Sequence, residues 1–170
     1  MANTYTLINS VSVGSGGASD ISFTSIPGTY TDLLLKLSTR DSRSSNPYNE
    51  ILVTFNGSGT YSRKTIYGTG SSAGSEGDAT GKWVYSDTAN ATSSTFSNAE
   101  IYIPNYTGSN AKTISADSVT ENNSTTGNTV VLAVGSATLT SAITSITLTP
   151  NLSNTFLQYS TAYLYGISNS

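Results

Sequence analysis

Short runs of alternating apolar and polar residues recur along the chain, each closed by glycine, proline, asparagine or serine. Successive side chains on a strand point to opposite faces, so a period of two reads as half-buried β-structure. The pattern predicts strands over 5–13, 18–24, 30–40, 50–55, 61–68, 82–86, 94–105, 111–121, 128–136, 142–150 and 155–167. No stretch has the period of a helix. About ten strands in one domain over 1–170 make an all-β sandwich or barrel the expected class. The triple leucine sharpens this. On a strand, Leu33, Leu35 and Leu37 face the core, and Leu34 faces outward between Asp32 and Lys36. Either a crossing loop or a neighbouring chain must then cover Leu34. The run 128–136, NTVVLAVGS, is almost continuously apolar and predicts a strand covered on both faces. The stretch 68–81 has no apolar period and predicts an exposed glycine-rich loop.

Composition narrows the class. Of 170 residues, 36% are hydrophobic and 10% charged, and about a third are serine or threonine. Disorder combines low hydrophobicity with high net charge. Here the net charge is only -3, with eleven tyrosines, so an ordered chain is expected. The acidic balance argues against nucleic acid as a partner. No apolar run approaches membrane-spanning length, and the start MANTYTLINS lacks the regions of a signal peptide. The chain has no cysteine, which rules out disulfides.

The chain also lacks histidine, and with no cysteine this excludes a Ser-His-Asp triad, a Cys-His pair and the usual zinc sites. Among paired carboxylates, Glu76 and Asp78 fall in the glycine stretch, where nothing would fix their geometry. Asp117 and Glu121 read as solvated sheet surface. GDATGKW (77–83) fails as a phosphate loop, since Trp83 follows the lysine. Asp41, Asn46 and Glu50 offer oxygen ligands for calcium without the spacing of an EF-hand. Arg40, Arg43, Arg63 and Lys64 gather into a basic spot only if strands 30–40 and 61–68 share an edge. No cofactor and no enzymatic activity are expected. The remaining signal is aromatic. Tyr48, Trp83, Tyr85 and Tyr106 flank loops, where tyrosine and tryptophan supply contact area at small entropic cost. Together with Leu34 they are the candidate interface residues.

Five segments resemble a family of small virion proteins of tailed phages, common in phages of aquatic bacteria. They are YTLINSVSVGSGGASDISFTSIPGTYTDLLLKLSTR (5–40), ILVTFNGS (51–58), FSNAEIYIPNYTGSNAKTISADSVTENN (96–123), SITLTP (145–150) and LQYSTAYLYGI (157–167). The resemblance is weakest over 68–93. It implies a jelly-roll-like β-sandwich and a non-enzymatic capsid decoration or cement protein, made in the bacterial host cytoplasm and carried on the virion surface. The implied partner is the major capsid protein. A homotrimer is the expected oligomer, because shell decorations often occupy threefold positions. The alternative is a head-fibre or tail-associated module that binds a host-surface glycan, with Trp83, Tyr85 and the loop 68–93 forming the contact. No site residues carry over, because the resemblance rests on structural positions.

Overall fold

The computed structural model describes residues 4–57, 59–121 and 129–168. These form twelve strands and, among the described residues, no helix: β1 (Tyr5–Ser12), β2 (Ile21–Phe23), β3 (Asp32–Asp41), β4 (Tyr48–Phe55), β5 (Tyr61–Gly68), β6 (Ala73–Asp78), β7 (Lys82–Thr88), β8 (Ser97–Ile103), β9 (Lys112–Val119), β10 (Val130–Ala137), β11 (Ile146–Pro150) and β12 (Thr161–Ile167). The protein is all-β, and hydrogen bonds join the strands into one open sheet. Within it a long antiparallel run reads β1-β12-β3-β8-β9-β10-β5-β6. A shorter antiparallel run reads β2-β11-β4-β7. The two meet where Arg40 and Asp41 of β3 pair in parallel with Asp87 and Thr88 of β7.

The alternation seen in the sequence sets the core. Leu35 lies in register between Leu164 of β12 and Ile101 of β8, and Leu33 and Leu37 share its face. All three are buried, together with Ile51, Val53 and Phe55 of β4, Leu148 of β11 and Trp83 of β7, in one hydrophobic cluster. Phe55, Tyr61 and Trp83 meet edge to face, with centroids 6.2 and 6.0 Å apart. This geometry aligns the positive ring edge with the negative ring face.

Three expectations need correcting. The stretch predicted as loop over 68–81 contains β6, a strand with no large apolar residue. Backbone ladder bonds to β5 hold it, and so does Arg63, which reaches from β5 to Glu76 and Asp78. A polar edge strand leaves no hydrophobic period to read. The strand β10 is covered on one face only: Val131 and Ala133 are buried, while Val130, Leu132 and Val134 are exposed. Leu34 is only 5% exposed, and neither a crossing loop nor a second chain is needed to cover it. Its cross-strand neighbours are Tyr165 and Tyr102, and Tyr5 and Tyr165 line the same depression. Directly opposed side chains lie within reach of one another, so these tyrosines shelter it.

Candidate functional site: the outer face of the long strand run

Two hairpins, β9–β10 and β5–β6, extend the long run beyond β8. Their inner face is tied to the shorter run. The buried Arg63 guanidinium donates to the Lys82 carbonyl (2.6 Å) at the start of β7, and the Tyr85 amide donates to Ser118 Oγ (3.0 Å). Burial of Arg63 disfavours its charge, but Asp78 and Glu76, at 2.9 and 2.7 Å, outweigh this and raise its pKa overall. Buried Lys112 likewise donates to the carbonyls of Gly108, Asn110 and Leu139. Both cations are therefore spent on the fold.

The outer face of the same hairpins carries an aliphatic patch. One cross-strand row runs Asp117, Leu132, Ile66, Ser75, and the next runs Ser115, Val134, Lys64, Gly77. Val119 and Val130 open a third row. Ile66 is 58% exposed, Leu132 50% and Val134 54%. The neighbouring β6 puts only Ala73, Ser75 and Gly77 on this face, so nothing bulky overhangs Ile66. The Lys64 ammonium runs over the bare Cα of Gly77, where any Cβ would sit 2.7 Å from Nζ.

Charge gathers at the β8 side of this patch. Glu100 and Asp117 are direct cross-strand neighbours, and Lys36 binds Glu100 at 2.6 Å. Glu100 raises the Lys36 pKa by its hydrogen bond and its charge. Burial, then the charge of Glu100, pushes the Asp117 carboxyl up. Beyond them the Tyr102 hydroxyl donates to Asp32 Oδ2 (2.7 Å), and this bond pushes the phenol up to about 12.

The aromatic residues expected at an interface lie elsewhere. Trp83 and Tyr106 are wholly buried, and Tyr85 nearly so. The Tyr106 hydroxyl donates to the Pro27 carbonyl. Tyr48 is half-buried and stacks on Tyr85, with centroids 5.1 Å apart and planes within 4°. Desolvation raises the Tyr85 pKa. A glycan contact through Trp83 and Tyr85 is thus not on the surface, because Trp83 lies in the hydrophobic core and Tyr85 is covered under its stack with Tyr48. The four basic residues do not gather either, since β8, β9 and β10 separate β3 from β5. The calcium candidates are engaged by protein groups, Asn46 Oδ1 accepting from the Tyr48 amide (3.3 Å). Asp41 accepts from Asn49 Nδ2 (2.8 Å) and the Arg43 amide (2.9 Å), and Glu50 pairs with Lys82 (3.1 Å) and Asn151 (2.7 Å). Among the described residues no group of three His, Cys, Asp or Glu side chains could hold a metal ion. Comparisons with known families, curated proteins and solved structures find no match.

The sequence did hold a signal for the patch. The valines and leucine of β10 occupy both faces, and one face was free to serve something other than the core.

Proposed function

We propose that the protein is a non-enzymatic structural component of a phage virion, a decoration or cement protein held on the capsid surface by the outer face of β9, β10 and β5. The observation that carries the reading is the aliphatic patch on that face, which no element of the chain covers among the described residues. Val119, Val130, Leu132, Val134 and Ile66 together leave roughly 400 Å² of apolar surface open, within the range where a monomer's largest patch is often functional. At about 25 cal/mol per Å² this is ~10 kcal/mol of gross burial, the same order as the cost of bringing two molecules together. One copy would therefore hold modestly, and many copies side by side would hold well. That suits a shell coat. Of the carboxylate pair, Glu100 lines the depression beside Tyr5 and Tyr165 and is tied up by Lys36 at 2.6 Å, while Asp117 lies outside its lining.

We infer further that the core is a two-layer jelly roll with the two hairpins added. Set β5, β6, β9 and β10 aside and eight strands remain. The first of these pairs with the last, the second with the next to last, the third with the third from last, and the fourth with the fourth from last. This nested antiparallel pairing is how a jelly roll closes, and shells and lectins both use that fold. The shared cluster of Leu35, Ile101, Ile51, Val53 and Trp83 supports two facing layers. Fold alone does not assign function, so the added face carries the proposal.

The test is binding of purified protein to particles stripped of it, with copy number counted against the major capsid protein. Leu132→Glu and Ile66→Glu should each abolish binding while the melting temperature stays within a few degrees of wild type. Unchanged binding by both variants refutes docking through this face. A few copies per particle would move the protein to the neck or tail. Mass photometry of the free chain separates a homotrimer from a monomer that assembles only on the shell.

A further inference from the structure

We propose a second, separate site: a saccharide-binding groove at the end of β3, built by the connections β1–β2, β7–β8 and β11–β12. The groove has a volume of about 610 Å³ and is lined by Ser15, Ser94, Phe96, Gln158 and Tyr159, with Arg40 at its base. That volume suits a small ligand.

The groove is built to hold its shape. The amide of Tyr159 donates to the Val13 carbonyl and the amide of Val13 to the Ser160 carbonyl, both at 2.9 Å, which clamps the first connection to the third. Phe156 bridges both Ala18 and Asp41. Arg40 spends its guanidinium on the second connection, donating to the carbonyls of Ala91 (3.2 Å), Thr92 (2.7 Å) and Thr95 (3.0 Å). Its charge thus fixes the wall instead of waiting for an anion.

Tyr159 is the decisive residue. The Ser160 amide donates to the Leu157 carbonyl (3.1 Å), closing a four-residue turn with Tyr159 third. Its φ is 72°, a left-handed conformation that glycine or asparagine adopts at far lower cost in this place. A bulky residue held there carries strain. Burial does not repay it, because Tyr159 is 69% exposed. The strain instead holds an aromatic ring in solvent at the lip of a groove. Half-buried Phe96 is the second aromatic in the lining.

The lining chemistry selects the ligand class. Aromatic faces stack on the C–H faces of a sugar ring, and serine hydroxyls and the Gln158 amide match its hydroxyls as donors and acceptors. Among the described residues no carboxylate lines the groove, and its one cation is occupied, so a neutral sugar fits better than a phosphate or a metal-bound ligand. The site owes nothing to the capsid-docking face and stands or falls without it.

The experiment is saturation-transfer NMR on the full chain with glucose, galactose, mannose and N-acetylglucosamine, together with lactose, cellobiose and chitobiose, followed by titration of any sugar that responds. At least one sugar should bind the wild type. Tyr159→Asn relieves the backbone while removing the ring, so it should melt at or above the wild-type temperature yet bind about tenfold weaker or not at all. Phe96→Ala should weaken binding too. The proposal is overturned by no response from any sugar, or by Tyr159→Asn binding as wild type. It also falls if Tyr159→Asn melts well below wild type, which would assign the ring to the fold. Binding of adenosine monophosphate in place of every sugar would make the groove a base-stacking site and equally overturn it.

Discussion

Trp83 is the residue on which local sequence context and structure differ most, and one set of measurements on it checks the fold. The chain has one tryptophan, so its intrinsic indole fluorescence reports on this position alone. Trp83 is wholly buried against Tyr61, and its indole Nε1 has no hydrogen-bond partner among the described residues. Two effects therefore oppose each other. Truncation to alanine removes the largest fully buried side chain and leaves a cavity, a change that costs about 3–5 kcal/mol. An unpaired buried donor already costs ~1–3 kcal/mol, and alanine relieves that cost without refilling the space. Burial wins, so Trp83→Ala should lose about 1–3 kcal/mol net. For a chain of this length that lowers the melting temperature by about 2–12 °C. Trp83→Phe keeps much of the ring and drops the unpaired N–H, so the two terms nearly cancel and it should melt within a few degrees of wild type. Circular dichroism melts measure both variants. Wild-type emission should be blue-shifted and resist acrylamide. An emission maximum typical of hydrated indole, with free quenching and an unaltered Trp83→Ala melt, would refute the packing described for β7.

The leucines of β3 give a paired test by urea unfolding. Leu35→Ala should cost about 2–5 kcal/mol; Leu34→Asp, which puts a carboxylate beneath Tyr165 and Tyr102, should also destabilise the isolated chain, by more than ~2 kcal/mol, whereas a melt unchanged from wild type would return Leu34 to a subunit interface. Arg63→Ala should cost about 2–3 kcal/mol, less than a fully buried pair, because Glu76 and Asp78 keep 43% and 33% of their side chains exposed and can rehydrate; amide exchange over 73–78 should quicken, and unchanged protection there would mean that ladder bonds alone hold β6. Burial raises Asp41 and Asp87 above the ordinary value of 3.8, so in the window just above that value the folded chain binds more protons than the unfolded one. Their contribution is full below about 3.8 and is lost as pH rises through their raised folded-state values, so Asp41→Asn should flatten the pH dependence of melting in that acid window. An identical slope in the variant would show that Asp41 titrates normally.

Much of this fold could be read in advance, and the limits follow from what a one-dimensional pattern encodes. Strand β5 runs over the predicted residues 61–68, because Tyr61, Arg63 and Thr65 alternate with Ser62, Lys64 and Ile66 and its ends are marked by glycines. Strand β6 escaped, because backbone pairing and one arginine hold it without any apolar face. Trp83 follows a glycine-rich stretch, and that neighbourhood suggested solvent. A register shift opposite Ile51 and Leu52 instead puts both Trp83 and Val84 into the core, which no two-residue period shows. The left-handed turn at Tyr159 left no trace in the sequence, since a tyrosine there looks like any other in an apolar strand. Its significance appears only once φ and exposure are known together.

The apolar run of β10 was the most misleading signal and carries the most information. A strand rich in valine, leucine and alanine reads the same whether its second face is covered by its own chain or left for another molecule. The structure separates the two faces. Val131 and Ala133 pack inward, where folding demands aliphatic side chains. Val130, Leu132 and Val134 point out, where threonine would serve the strand as well and keep the surface polar. Across the register from them Ile66 repeats the choice on β5, and β6 repeats its complement with alanine, serine and glycine. Ile66 and the three outward aliphatics of β10 thus make an open patch, left uncovered by the small residues of β6, that the monomer's stability does not require. A face kept apolar against the interest of solubility points to burial after folding. This is why the docking test rests on Leu132 and Ile66 and not on the loop aromatics.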